Sequence, residues 1–159
     1  MTQRIDYGKK YPEAIKGMMQ LEKYCHASNL EPSLIHLVKL RASQINGCAY
    51  CIDMHTKDAR SEGETEQRLY GVSAWKETPY YSDRERAALE WTEELTLIPG
   101  REVDDELYDR VKVHFSEEDL MALTVTVIAI NGWNRLAVSM RTPVGSYRPQ
   151  KRVSQSDRS

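Results

Sequence analysis

Residues 44–55 read QINGCAYCIDMH, and the rest of the chain is organised around this stretch. The Asn-Gly pair that precedes Cys48 is a helix-stop and turn signal, so a new helix is expected to begin near Cys48. On that helix Cys51 lies three residues after Cys48, and His55 follows Cys51 by four residues on the same face. One short helix therefore carries two thiols close enough to form a disulfide, with an imidazole able to take a proton from one of them.

Length and composition narrow the class of protein. A chain of 159 residues is expected to form one domain that buries roughly 70% of its unfolded surface. A net charge of −2 gives no reason to expect a nucleic-acid or anionic-membrane partner. The amino terminus lacks the apolar run of a signal peptide, and no apolar stretch approaches the ~20 residues of a membrane span. We therefore expect a cytoplasmic protein, in which a C-x-x-C pair indicates catalysis or metal binding.

The apolar periodicity is helical along nearly the whole chain, with neither a strand pattern nor an internal repeat. Helix starts are expected at Pro12, Pro32, Cys48, Thr65, Ser82 and Ser116, with a short amphipathic helix between residues 103 and 115. The last helix is almost wholly apolar from 120 to 130, which predicts a buried central helix. We predict an all-α fold with a single domain over residues 1–143. A polar tail over 144–159 should be mobile unless it docks on a neighbouring subunit.

The dithiol stretch contains two cues for thiol activation. A thiol at its ordinary pKa of ~8.5 is only a few per cent thiolate at neutral pH, and the thiolate is the nucleophile. The helix N-terminus favours a thiolate at Cys48, whereas an imidazole one turn away favours Cys51. We give more weight to the directed base, so Cys51 is the predicted nucleophile, Cys48 the resolving thiol and His55 the general base. Cys51 would attack a hydroperoxide oxygen to give a sulfenic acid, and Cys48 would condense with it to a disulfide that an external dithiol reduces.

Other interpretations of the same residues stay open. C-x-x-C near a histidine is also a zinc pattern, but a closed structural site needs four ligands. A further ligand would have to come from His36, His26 or Cys25, and Cys25 is predicted to be a core residue. A c-type haem requires a histidine directly after the second cysteine, where this chain has Ile52. A purely structural role for both cysteines gives no reason for His55.

The pattern Ile45-Asn46-Gly47-Cys48-x-x-Cys51-x-x-x-His55 resembles the alkylhydroperoxidase D family, within the carboxymuconolactone decarboxylase-like superfamily. Three further segments look typical of its small bacterial members: 37–44 (LVKLRASQ), 85–93 (ERAALEWTE) and 131–135 (NGWNR). The resemblance covers most of residues 30 to 140. It implies an AhpD-like helical bundle, an oxidoreductase with peroxidase activity through the two cysteines, and homo-oligomers, often trimers or hexamers. It implies no metal and no organic cofactor.

Two positions depart from that family. Its proton relay usually has a glutamate twelve residues before the first cysteine, where this chain has His36. A histidine orients His55 only as a neutral acceptor or through water, so we expect weaker base assistance or a relay completed by another carboxylate, such as Glu90. His36 could instead be a partly buried helix residue bonded to a backbone carbonyl. Between the cysteines, where family members often have histidine, Tyr50 is expected to pack rather than donate to a bound peroxide.

Polar and aromatic residues outside the motif could serve either binding or packing. Asn131, Asn134 and Arg135 form a polar patch at the end of the apolar run, which could bind an acidic substrate group. A hydrogen-bonded helix-packing contact is the stronger interpretation, since polar groups at helix crossings usually serve packing. The three tryptophans are predicted to be core or interface anchors: Trp75, Trp91 and Trp133.

The leading hypothesis is a thiol peroxidase that acts on organic hydroperoxides or hydrogen peroxide and is regenerated by an external dithiol or a thiol protein. Three alternatives come from other classes. A redox adaptor or sensor would cycle the disulfide with little peroxide turnover. A lactone decarboxylase would not require a C-x-x-C pair, so its activity would survive substitution of both Cys48 and Cys51. A zinc-stabilised structural module would bind metal at the C-x-x-C pair.

Overall fold

The structure is a computed structural model that describes residues 2–149. This part of the chain contains eight α-helices, one 3₁₀ turn and no strand, which confirms the predicted all-α class. The elements are α1 (Tyr7–Lys10), α2 (Pro12–Ala27), α3 (Pro32–Ile45), α4 (Ala49–Ser61), α5 (Glu66–Gly71), the 3₁₀ turn Val72–Glu77, α6 (Asp83–Thr96), α7 (Asp105–Lys112) and α8 (Glu117–Met140). Apolar periodicity does not reveal α1 or the 3₁₀ turn, because an element of one or two turns has too few residues to show a period.

The predicted helix starts agree with the capping chemistry. Pro12 and Pro32 are the first residues of α2 and α3, where the missing N–H of proline has no helical partner to lose. Ser82 and Glu85 form a capping box on α6: the Ser82 hydroxyl accepts from the Glu85 N–H, and the Glu85 carboxylate accepts from the Ser82 N–H. Ser116 caps α8 by accepting from the Asp119 N–H. Local sequence therefore determines where these helices begin.

Helix α3 has the largest buried share in the described bundle, with nine of its 14 residues buried. It packs against α4, α6, α8 and the 3₁₀ turn. The hydrophobic core consists of three clusters, and apolar residues of α3 contribute to each of them. Leu34 and Val38 pack on the side of α6 and α8, whereas Leu37 and Leu40 pack on the side of α5 and the 3₁₀ turn. The motif helix α4 is thus attached to the most constrained element of the fold.

The prediction that the last helix is a buried central helix is only partly correct. Nine of the 24 residues of α8 are buried, and it exposes Met121, Ile128 and Val138. It is also the one helix among residues 2–149 with the length and hydropathy of a membrane span, contrary to the expectation that no stretch approaches that length. In this fold α8 packs against α2, α3, α4 and α6, which are the contacts of a core helix.

The described part of the predicted polar tail lies against the domain. Residues 143–149 contact α4 of the same chain through Lys57, Asp58 and Asp53. Carboxylates and an ammonium group on the outer side of α4 supply the partners for this backbone. The remainder of the predicted tail, residues 150–159, lies outside the described residues.

Candidate active site

The two cysteines of the motif lie at the N-terminus of α4, as predicted. Asn46 ends α3, and Gly47 has φ +64°, which turns the chain into the new helix. Cys48 is the N-cap, and its sulfur accepts the backbone N–H of Cys51 at 3.3 Å. Cys48 and Cys51 form a disulfide with their Cα atoms 5.3 Å apart, a separation that fits disulfide geometry without movement of the backbone.

A cluster of side-chain amides holds the turn before Cys48 in place. The Asn46 amide donates to the side-chain oxygens of Asn131 at 3.0 Å and Asn134 at 2.9 Å. The Asn134 amide donates to the Ser43 hydroxyl at 3.0 Å, and Asn134 is buried. Arg135 is exposed and donates to Asn131. These bonds join α3 to α8, so the structure places this polar patch in helix packing and not in a substrate site.

A cavity of about 680 Å³ opens beside the cysteine pair. Cys51 lines this cavity, whereas Cys48 is not among its lining residues. Its lining includes the polar side chains of His36, Lys39 and His55 and four aromatic side chains: Tyr7, Tyr50, Trp133 and Tyr147. The volume is in the range of small-molecule sites, which are mostly apolar with a few convergent polar groups. The arrangement makes Cys51 the sulfur that a ligand in the cavity would meet.

His55 lies on the same face of α4 as Cys51 and is only 5% exposed. Within the described part of the chain neither of its ring nitrogens has a hydrogen-bond partner. Burial lowers the pKa of His55 well below its usual range, and the nearby charges of Lys39 and His36 act in the same direction. His55 is therefore a neutral imidazole at neutral pH, free to accept a proton from a group that arrives in the cavity.

His36 lies beside His55, with the two ring centroids 6.2 Å apart. Its Nε2 is 3.2 Å from a carboxylate oxygen of Glu62, so the side chain pairs with a carboxylate and not with a backbone carbonyl. Burial lowers the pKa of His36, although the charge of Glu62 works against that shift. Glu90, the carboxylate suggested from sequence, is not among the residues of the cavity and bonds to Arg110 at 3.0 Å. The carboxylate that bonds to His36 is Glu62, which is also not among the lining residues of this cavity.

Sequence reasoning missed a second charged pair in the cavity. Lys39 of α3 is 2% exposed, and its ammonium lies 2.5 Å from the Glu22 carboxylate of α2. Lys39 follows His36 by three residues, so helical spacing could have placed both on one face. Glu22 and Glu62 carry no such signal, because they reach the site from other helices.

The remaining candidate residues, Cys25 and the three tryptophans, serve packing. Cys25 is buried in the core, and burial raises the pKa of its thiol. Trp75 and Trp91 are buried, with their indole N–H groups bonded to Glu93 and Thr124, while Trp133 packs against the cluster that contains both motif cysteines. Over residues 2–149 no group of three or more His, Cys, Asp or Glu side chains is placed to hold a metal ion.

Comparison with known proteins places this geometry in a family. Residues 11–94 match the carboxymuconolactone decarboxylase family. Protein YdfG of Bacillus subtilis is 50% identical over 140 residues, which cover 88% of this chain and 95% of that protein. A crystal structure of an Agrobacterium tumefaciens protein, described as of unknown function and as a candidate antioxidant defence protein AhpD, is 44% identical with a TM-score of 0.87. That likeness covers 92% of this chain and 100% of the other.

A more distant solved structure has the same fold. The debrominase Bmp8, as a cysteine-to-alanine variant in complex with 2,3,4-tribromopyrrole, is 19% identical to this chain with a TM-score of 0.77. The match covers 87% of this chain and 74% of the debrominase. Proteins of this fold therefore include one that is named for a reaction other than peroxide reduction.

Proposed function

The chain belongs to the carboxymuconolactone decarboxylase family, and from that premise and the surroundings of Cys51 we propose that it is a cytoplasmic thiol peroxidase. Its substrate is a hydroperoxide, its reductant an external dithiol or a thiol protein, and Cys48 and Cys51 cycle between dithiol and disulfide. The likeness to the Agrobacterium protein described as a candidate AhpD supports this proposal at 44% identity. The family match alone does not select the reaction, because the family is named for a decarboxylase.

One observation carries the proposal: the buried imidazole of His55, which has no hydrogen-bond partner among residues 2–149, shares a cavity with one sulfur of a disulfide. Buried polar groups are normally hydrogen-bonded, so the orphan nitrogens of His55 need an explanation. In the reduced protein Cys51 carries a thiol one helical turn from His55, and that thiol is a suitable donor. In the oxidised form the Cys51 sulfur carries no proton. The imidazole of His55 is thus explained as a general base that has lost the thiol it deprotonates.

The proposed cycle conserves atoms and electrons at each step. His55 takes the proton of Cys51, and the thiolate attacks one peroxide oxygen, which breaks the O–O bond and gives Cys51 sulfenic acid. The departing alkoxide takes that proton back from the His55 imidazolium and leaves as an alcohol, or as water from hydrogen peroxide. Cys48 then attacks the Cys51 sulfur, the S–O bond breaks, the departing hydroxide takes up the proton given up by the Cys48 thiol and leaves as water, and the disulfide forms. A dithiol reductant supplies two electrons and two protons to restore both thiols.

The position of Cys48 suits the resolving role. Cys48 is the N-cap of a 13-residue helix. Its sulfur accepts the Cys51 backbone N–H and lies at the positive end of the helix dipole. Both effects stabilise a thiolate at Cys48. A stabilised thiolate attacks the sulfenic acid without a base of its own, and it is also a good leaving group when the disulfide is reduced.

The test is a thiol count by alkylation and intact mass, made before and after one equivalent of cumene hydroperoxide, in a Cys25→Ser background. Rapid loss of both remaining thiols, reversed by dithiothreitol, is the expected result. The double variant Cys48→Ser with Cys51→Ser is the control for turnover with excess dithiothreitol. Peroxide consumption that survives in the double variant, or thiols that persist in the parent, would reject the peroxidase proposal.

A redox adaptor that exchanges its disulfide with a protein partner is the second candidate. The observation that favours it is His36 in the relay position, where a glutamate would give His55 a negatively charged partner. An adaptor would react with one equivalent of peroxide slowly but would exchange disulfides with a thioredoxin quickly. Steady-state peroxide turnover separates the two functions.

We also propose a homo-oligomer of three or six subunits, as the family resemblance implies. Exposed apolar side chains on two helices are compatible with subunit contacts: Met19 and Tyr24 on α2, and Met121 and Ile128 on α8. Light scattering after gel filtration gives the mass directly, and a mass of 18.4 kDa would correspond to the monomer.

A further inference from the structure

The disulfide is closed to a protein reductant in this conformation. Cys48 is 1% exposed and Cys51 is 2% exposed. Thiol–disulfide exchange requires a thiolate to reach one of the two sulfurs, and Cys51 is the one that lines the cavity. A small dithiol fits a cavity of about 680 Å³, but a folded thiol protein does not. A protein reductant therefore needs part of the cavity wall to move.

The C-terminal segment 143–149 supplies part of that wall. It lies along α4, where the Lys57 ammonium donates to the carbonyls of Gly145 at 3.4 Å and Tyr147 at 3.3 Å. The Gly145 N–H donates to the Asp53 carboxylate at 3.3 Å, and Asp53 also pairs with Lys57 at 2.8 Å. Polar contacts of partly exposed groups hold the segment in place, and contacts of this kind are individually weak.

Tyr147 is the residue of this segment that lines the cavity, together with Tyr50 and Cys51. Its hydroxyl donates to the Asp58 carboxylate at 2.7 Å. Burial and this bond to Asp58 raise the pKa of Tyr147, so the phenol keeps its proton and remains a donor across the physiological range. One ring on a weakly attached segment thus forms part of the wall of the cavity that contains Cys51.

We propose that segment 143–149, through Tyr147, determines which thiols reach Cys51. With the segment docked, small molecules enter; with Tyr147 released from Asp58, a protein dithiol has access to the same sulfur. Its thiolate attacks the Cys51 sulfur, the disulfide breaks and Cys48 leaves as a thiolate. The partner's second thiol then displaces Cys51, so the partner leaves as a disulfide and both cysteines of this chain are reduced. This inference rests on the reductive half of the proposed cycle and does not depend on which oxidant forms the disulfide.

The experiment compares two reductants on the purified, oxidised full-length protein. Second-order rate constants for reduction of the disulfide are measured with dithiothreitol and with a reduced bacterial thioredoxin, by rapid alkylation and intact mass. Their ratio, thioredoxin over dithiothreitol, reports access for a protein independently of the intrinsic reactivity of the disulfide. The variants are Tyr147→Ala, which removes the ring, Tyr147→Phe, which removes only the bond to Asp58, and Lys57→Met, which releases the segment without changing the wall.

We expect Tyr147→Ala to raise the ratio about tenfold, because the docked state is held by a few weak bonds and the access-competent fraction limits the thioredoxin rate. Tyr147→Phe and Lys57→Met should raise it by smaller factors. Tyr108→Ala, which removes an exposed tyrosine of α7 outside the cavity, should leave the ratio at the parent value. Helical circular dichroism identifies any variant that unfolds, and Lys57→Met then carries the comparison.

A ratio that stays at the parent value in every folded variant would overturn the proposal. So would a parent protein that thioredoxin reduces as fast as any variant. Failure of the peroxidase function looks different: the disulfide responds to both reductants, but the reduced protein consumes no peroxide. Reduction of the disulfide tests the role of segment 143–149, and consumption of peroxide tests the peroxidase function, so the two failures are distinguishable.

Discussion

The imidazole rings of His36 on α3 and His55 on α4 both line the cavity, with their centroids 6.2 Å apart and their planes tilted by 51°. His36 in turn bonds to Glu62, so a row of ionisable groups runs from exposed Glu62 at the end of α4 to buried His55. The family pattern has a carboxylate where this chain has His36. A substitution at position 36 can therefore measure how much a charged partner contributes to the basicity of His55.

A glutamate at position 36 is expected to make His55 a stronger base. The variant is His36→Glu combined with Glu62→Gln, which avoids two adjacent carboxylates. A negative charge beside His55 favours its protonated form, so the rate of Cys51 oxidation by peroxide at pH 7 should rise about tenfold. Stopped-flow measurement of single-turnover oxidation gives the rate, with Glu62→Gln alone as the matched control. An unchanged rate would remove position 36 from the proton relay.

Reduction of the disulfide is expected to raise the pKa of His55. In the oxidised protein, burial and the neighbouring positive charges keep this pKa well below 6.5. A thiolate at Cys51 would favour the imidazolium, and by linkage the imidazolium favours the thiolate. NMR titration of the histidine ring protons in the oxidised and reduced forms measures the shift. Equal titration of His55 in both forms would mean that it does not interact with Cys51.

The stability of the oxidised protein should decrease as the pH falls below about 6.5, the pKa of an unfolded histidine. The pKa values of His36 and His55 are lowered in the folded state, so between 6.5 and those lowered values the unfolded chain binds more protons. The free energy of unfolding then falls by about 1.4 kcal/mol per pH unit for each such group and levels off below the folded-state pKa.

Urea unfolding at a series of pH values tests this dependence. His55→Leu should reduce the slope below pH 6.5, because it removes one of the two groups with a lowered pKa. Val113→Leu, at an exposed position without a titratable group, is the control and should keep the parent slope. Equal slopes in His55→Leu and the parent would show that His55 is not buried as a neutral group.

The two cysteines should differ in their reaction with peroxide. In a Cys25→Ser background, Cys48→Ser keeps the sulfur that lines the cavity beside His55, so peroxide should convert Cys51 to a sulfenic acid that dimedone traps. Cys51→Ser keeps only Cys48, which does not line the cavity and should react at least about tenfold more slowly, as expected without a positioned base. Intact mass of the dimedone adduct measures both. Faster reaction of the Cys51→Ser variant would exchange the roles of the two sulfurs.

Two glycine-to-alanine changes should alter stability in opposite directions. Gly47 has φ +64°, a conformation that costs alanine about 1 kcal/mol, so Gly47→Ala should destabilise the turn that positions Cys48. Gly17 lies within α2 with no heavy atom within 4 Å of an added Cβ, so Gly17→Ala should stabilise the protein by about 1 kcal/mol through helix propensity. Urea midpoints measure both, and a stabilising Gly47→Ala would mean that the turn is not held as described.

The sequence by itself determined the local features of this protein. Pro12, Pro32, Ser82 and Ser116 mark helix starts because capping and proline effects act within one turn of the chain. The C-x-x-C pair and His55 could be placed on one helix face for the same reason, since their spacing is a property of the helix and not of its neighbours. The all-α class and the family both follow from such short-range patterns.

Only the tertiary structure decided which groups from different helices meet. Glu62 bonds to His36 across 26 residues of sequence, Glu22 pairs with Lys39 across 17, and Tyr147 reaches Asp58 across 89. Helical periodicity contains no information on these distances, because they depend on how α2, α3, α4 and the C-terminal segment pack. Packing also decided that Cys51, and not Cys48, lines the cavity. A sulfur's access depends on what surrounds it, whereas its place on a helix depends only on the spacing of residues along the chain.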